Sequence, residues 1–276
     1  MNNPLSLSVR IAEGFLSKEE AILSLEDVAQ LSKEAGYDAL CMRASQIGVQ
    51  SPRSEVTAAS QWLRSEDIPV TMVTGDFDIV YNNENGPGCL HRITPYLDLA
   101  QHLGCQLIRV AIKTHDDITP VQKAADEALE RGISLVHQCH TLSLFETVES
   151  CVETAQRIDR KNFGIIYEPA NLEICGQPYV GEVFDRLLPW LKNVYLQNQI
   201  LKEDGAVTLN TWCRGPIGFD LIPVHAPGGI DFPAVFEELQ RVGYQGPITV
   251  HQSAQPGASP LQTAMQSAQY LRTLMS

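Results

Sequence analysis

Short apolar runs and longer amphipathic ones alternate along the whole chain. The short runs occupy residues 5–11, 38–43, 69–74, 106–112, 133–138, 163–168, 193–198 and 247–252, and each has strand length and composition. The segments between them have helical period. In "KEEAILSLEDVAQLSKEAG", Ile22, Leu25, Val28, Ala29 and Leu31 form one stripe, and Gly36 closes it as a helix stop. Gly104, Gly132 and Gly243 end three further segments in the same way. In "APGGIDFP", a tight turn leads into a helix with Asp231 as its N-cap. Residues 200–229 are long for a connection, which predicts a functional loop or a small hairpin.

Eight strand–helix units in a row predict parallel strands covered by helices. Strands that are apolar on both faces belong in a sheet buried on both sides. The fold class is therefore α/β, and eight units in about 250 residues close most naturally into a single-domain (β/α)8 TIM barrel over residues 1–276. A doubly wound open sheet is the weaker option.

In such a barrel the chemistry sits at the C-terminal ends of the strands. The last four strands end in His137, Glu168, Gln197 and His251. Any one of these could be a satisfied structural residue, but their recurrence at successive strand ends predicts a shared polar site. Two imidazoles and a carboxylate suit zinc, iron or manganese better than magnesium, with Gln197 as an unusual further donor. His137, His251 and Glu168 are also the candidate proton-transfer groups. Arg43, His140, Trp212 and Arg214 are candidate substrate contacts, Trp212 as a stacking platform; Arg109 and Lys113 lie close to the same end.

Charge narrows the partners. The chain carries 20 Lys and Arg against 33 Asp and Glu, a net charge of −13. Without a basic cluster, nucleic acid is not an expected partner. The seven cysteines are odd in number, widely spaced and free of CxxC pairs, as in reduced cytoplasmic proteins. No apolar run is long enough for a membrane span, and the first residues do not form a leader. These features predict a cytoplasmic protein acting on a small molecule, with a homo-oligomer left open.

Three stretches resemble the xylose isomerase-like TIM-barrel superfamily, the sugar phosphate isomerase/epimerase group: "EEAILSLEDVAQLSKEAGYDALCMR", "LDLAQHLGCQLIRV" and, most closely, "GGIDFPAVFEELQRVGYQGPITV". Their order and spacing cover nearly the whole chain. The resemblance implies a sugar or polyol derivative as substrate and isomerase or epimerase chemistry beside a divalent metal. It also implies Glu, Asp, His and Glu as ligands at the ends of the last four strands. Carried over by position, these fall on His137, Glu168, Gln197 and His251, so only the carboxylate at Glu168 keeps its type. The alternatives are a metal-dependent lyase or dehydratase acting on a keto-polyol or related acid, and a non-catalytic sugar-binding barrel with a degenerate site. A nuclease of this superfamily would need more metal ligands and a basic surface.

Overall fold

In a computed structural model, which describes residues 1–14 and 17–276, eight parallel strands close into a barrel. They are β1 (Leu5–Ser8), β2 (Ala39–Arg43), β3 (Val70–Thr74), β4 (Leu107–Arg109), β5 (Ser134–Gln138), β6 (Phe163–Tyr167), β7 (Leu191–Leu196) and β11 (Ile248–Val250). Sequential neighbours pair from β1 to β7, and β11 closes the ring between β7 and β1. Successive side chains point to opposite faces. One set, with Cys41, Met72, Val136, Ile166 and Tyr195, packs inside the barrel. The other, with Leu40, Val73, Ile108, Leu135 and Ile165, packs against the helices in the main core.

Local chemistry sets the helix boundaries. The first long helix runs only from Leu25 to Glu34, because the Ser24 side chain accepts from the Asp27 N–H and starts it there. Ile22 therefore lies before the helix and is exposed, contrary to the stripe read from the sequence. Gly104 ends the helix Thr94–Leu103 with φ +70, a conformation that a Cβ would strain. Asp231 caps the helix Phe232–Arg241 by accepting from the Ala234 N–H. All seven cysteines are unbridged, and only Cys213 is exposed. Among the described residues, no helix is long and apolar enough to cross a membrane.

The long stretch after β7 is a three-stranded antiparallel sheet of β8 (Gln199–Leu201), β9 (Val207–Thr211) and β10 (Gly215–Leu221). Asn198 fixes its base. Its Nδ2 donates to the carbonyls of Pro223, Val224 and Ala226, and its Oδ1 accepts from the N–H groups of Gln199 and Ile230. The far end is tied by the buried Glu146, which accepts from the N–H groups of Trp212 and Cys213. We expect Asn198→Ala to cost ~2–4 kcal/mol in urea unfolding, since it strands several buried backbone groups at once. Early proteolysis within residues 200–229 should accompany that loss; a variant as stable and protease-resistant as wild type would contradict this role.

Candidate functional site

The C-terminal mouth of the barrel holds a cavity of about 140 Å³. That is below the ~300–1,000 Å³ of drug-sized pockets, so it suits a molecule of monosaccharide size. Its walls carry Arg43, Arg109, Gln138, Glu168, Gln197 and His251, with Arg10, Lys18, His140 and Asn171 nearer the rim. Val207, Leu209, Phe219 and Leu221 of the inserted sheet roof it.

Glu168, Gln197 and His251, each one residue past its strand, line this cavity, as do Arg43 and His140. His137 does not. It shares the outward parity of Leu135 and Cys139, stacks on Phe145 at a 4.2 Å centroid distance, and its Nδ1–H donates to the Gln138 carbonyl. Its neighbour Gln138 faces inward and takes the place assigned to it. The correction is a single step of strand parity, which moves every side chain to the other face. Trp212 and Arg214 also lie outside the cavity. Trp212 is exposed at the β9–β10 turn. Arg214 donates to the carbonyls of Ile174 and Glu173, capping the C-terminal end of the helix Pro169–Ile174. Lys113 is turned aside, its Nζ donating to the Asn82 carbonyl.

The dominant feature at the mouth is an ion network that the sequence did not reveal. Glu13, buried just after β1, accepts from Arg43 Nε at 2.7 Å and Nη2 at 3.1 Å, from Arg10 Nη1 at 3.2 Å, and from Ser45 Oγ at 2.6 Å. The remaining Arg43 nitrogen, Nη1, lies 3.1 Å from His251 Nε2. A guanidinium can only donate. His251 Nε2 is therefore the acceptor, and its Nδ1–H donates to Ser8 Oγ at 3.1 Å. The ring also stacks on Tyr195 at 4.0 Å. Burial first, then Arg43 and Arg109, hold this imidazole well below its ordinary range, so it is neutral.

Glu168 is the carboxylate facing this cationic wall. Its Oε2 accepts from the Gln138 amide and from Asn171 Nδ2 at 2.6 Å, while Oε1 has no protein donor among the described residues. Burial pushes its carboxyl up to about 7, opposed by the Gln138 bond and the Arg109 charge. Burial likewise brings Arg109 down to about 10, and burial with Arg43, Arg10 and Arg109 brings Lys18 down to about 7. His140 falls to about 3, through burial and then Arg109.

The chain belongs to the xylose isomerase-like TIM-barrel family, whose model matches residues 29–274. Among relatives, an inosose dehydratase from Geobacillus thermodenitrificans (strain NG80-2) is 24% identical over 157 residues, which are 56% of this chain and 52% of that protein. The chain thus spans about half the length of the curated relatives it matches. Two solved structures share the fold. A xylose isomerase-like TIM-barrel protein from Mycobacterium smegmatis in complex with magnesium superposes with TM-score 0.71 at 15% identity, over 99% of this chain and 97% of that one. A D-allulose 3-epimerase from Methylomonas sp. does so with TM-score 0.70 at 12% identity, over 99% and 98%.

The donors at this mouth do not fit a divalent cation. Glu168 is the only anionic side chain among the four strand-end positions, now Gln138, Glu168, Gln197 and His251. The Nε2 lone pair of His251 is engaged by Arg43. Four basic side chains, Arg10, Lys18, Arg43 and Arg109, share the cavity that a dication would enter. Among the described residues, Glu146, Cys175 and Cys213 form a group close enough to share an ion, but none of them lines this mouth. The Glu146 oxygens there are already taken by backbone N–H groups.

The raised carboxyl of Glu168 gives a signed stability prediction. The folded state favours its protonated form over the ordinary value of 4.5. Its stabilising contribution is therefore complete below about pH 4.5 and is lost as pH rises through about 7. Glu168→Gln removes the buried charge while leaving an oxygen for Gln138 and Asn171. It should stabilise the protein by ~1–3 kcal/mol at pH 8 and by little at pH 5, read from urea midpoints. Equal midpoints for the two proteins at pH 8 would show that Glu168 ionises without penalty.

Proposed function

We propose that this chain is an enzyme that moves a proton on the carbon beside a carbonyl in a small sugar- or polyol-derived substrate, with Glu168 as the acid–base group and no divalent metal. The observation that carries the reading is Glu168 itself, a buried carboxyl held up to about 7 with one oxygen open to the mouth cavity. A general base is most effective when its pKa lies near the working pH. Gln138 and Asn171 orient the carboxylate through Oε2 and leave Oε1 to take the proton. The negative charge that develops on the substrate meets a preorganised cationic wall in a site largely screened from water.

Isomerisation, epimerisation and dehydration of a hydroxyketone share this first step. Relatives named as an epimerase and as inosose dehydratases are consistent with either outcome. The steps diverge afterwards. Passing the proton from Glu168 to the neighbouring carbon, while the hydroxyl proton moves to the carbonyl oxygen, gives an isomer; reprotonation from the opposite face by solvent gives an epimer; and passing it to a departing β-hydroxyl releases water and leaves an unsaturated ketone. His251 takes no part in proton transfer, because Arg43 would first have to release its Nε2. His137 is likewise excluded by its position outside the cavity.

The test is solvent exchange in D2O with chelator present, on a panel of ketoses, inososes and sugar acids. Deuterium should enter at the carbon beside the carbonyl, and Glu168→Gln should slow it by ~10²–10⁴-fold. The wild-type rate should rise with pH as Glu168 ionises through about 7. Absence of exchange across the panel, or exchange that begins only when a metal salt is added, would defeat the proposal.

A further inference from the structure

Arg109 ends β4 and points into the barrel, level with Val136 on the neighbouring strand. It is 3% exposed. Its Nε is buried without an acceptor, and among the described residues no hydrogen bond or ion pair to its guanidinium is found. This separates it from Arg43, whose nitrogens are taken by Glu13 and His251. Glu168 is the carboxylate near enough to influence it, but it makes no ion pair with it. A buried guanidinium with no partner is strongly disfavoured unless something else supplies the acceptor.

A second orphan lies on the next strand. Gln138 is two residues beyond Val136 on the same inward face. Its amide nitrogen donates to Glu168, and its Oε1 is buried with no donor. The cavity floor therefore presents an unpaired donor fork beside an unpaired acceptor. We propose that the mouth binds a hydroxy acid: its carboxylate is held by Arg109, and a hydroxyl of the same molecule donates to Gln138 Oε1. A planar carboxylate matches the guanidinium fork with two parallel bonds. The small cavity and the single unpaired guanidinium favour one carboxylate over a phosphate dianion. This deepens the proposed function by naming its substrate class, an acid of the sugar series, and places the carboxylate where the basic wall excludes a metal.

Binding can be tested without turnover, so the result stands apart from the fate of the proton-transfer reading. Calorimetric titration should compare four- to six-carbon aldonates with their matched alditols, which carry a CH2OH in place of the carboxylate, and with inorganic phosphate. At least one aldonate should bind at millimolar concentration or below, and about tenfold or more tighter than its alditol. Arg109→Gln should erase that difference, and Arg109→Lys, which keeps the charge but loses the fork, should retain part of it. Because a buried unpaired charge is removed, ligand-free Arg109→Gln should also melt at a higher temperature than wild type. Three outcomes would overturn the proposal: no aldonate binding, equal binding of aldonate and alditol, or phosphate binding in preference to every aldonate. An aldonate preference that survives in folded Arg109→Gln would do the same.

Discussion

The carboxylate of Glu13 is the group on which the mouth of this barrel depends. It lies in the interior and pairs with two arginines, one from β2 and one from the short 3-10 helix after β1, so the cluster keeps one net positive charge. Through Arg43 it also fixes the ring orientation and tautomer of His251, which follows β11, the strand beside β1. Buried ion pairs are not in themselves a strong source of stability, but removing one partner leaves an uncompensated charge and is costly. Here the loss of Glu13 would leave the buried Arg43 without its counter-ion and loosen its hold on the His251 imidazole. The network thus specifies one arrangement of the site more than it stabilises the fold.

From that constraint the electrostatics of the mouth follow. A dication at such a mouth needs anionic ligands, and this one carries basic side chains and amides around Glu168. Arg43 holds the imidazole that could otherwise ligate, while Arg109 and Lys18 add positive charge around Glu168. The chain as a whole carries −13, so the cavity is a local reversal of sign. A low-dielectric cleft of one sign focuses its field, and this cleft favours small anions over cations. The same burial that makes the cluster costly raises the Glu168 carboxyl to about 7, which the proposed acid–base role requires. Under that proposal, activity and stability pull in opposite directions at that residue.

Much of this was legible in the sequence, and the parts that were not have identifiable causes. The alternation of runs predicts the barrel, and the polar residue one step past each apolar run leads to Glu168, Gln197 and His251. Gln138 was missed because "ISLVHQ" is apolar on both faces, as a doubly buried strand must be, so its parity cannot be read from hydrophobicity. In such a strand a histidine on the outer face, stacked on Phe145, looks the same in sequence as one in the site. Glu13, Arg10 and Lys18 lie between β1 and the first long helix, where no local pattern announces their convergence on Arg43. Trp212 and Arg214 were drawn to the site by their place in the long insertion. That insertion meets the cavity through Val207, Leu209, Phe219 and Leu221, and its turn points elsewhere. That the His251 nitrogen is engaged is visible only once Arg43 is seen to donate to it.

Titration of metal-free protein with zinc, iron(II), manganese and magnesium at neutral pH tests the central claim most directly, namely that the guanidinium network at the mouth leaves no site for a divalent metal. The account predicts no stoichiometric binding at the mouth: no signal that Glu168→Gln or His251→Ala abolishes, and no metal retained through dialysis. One equivalent of a divalent ion bound tightly by wild type and lost in both variants would contradict it.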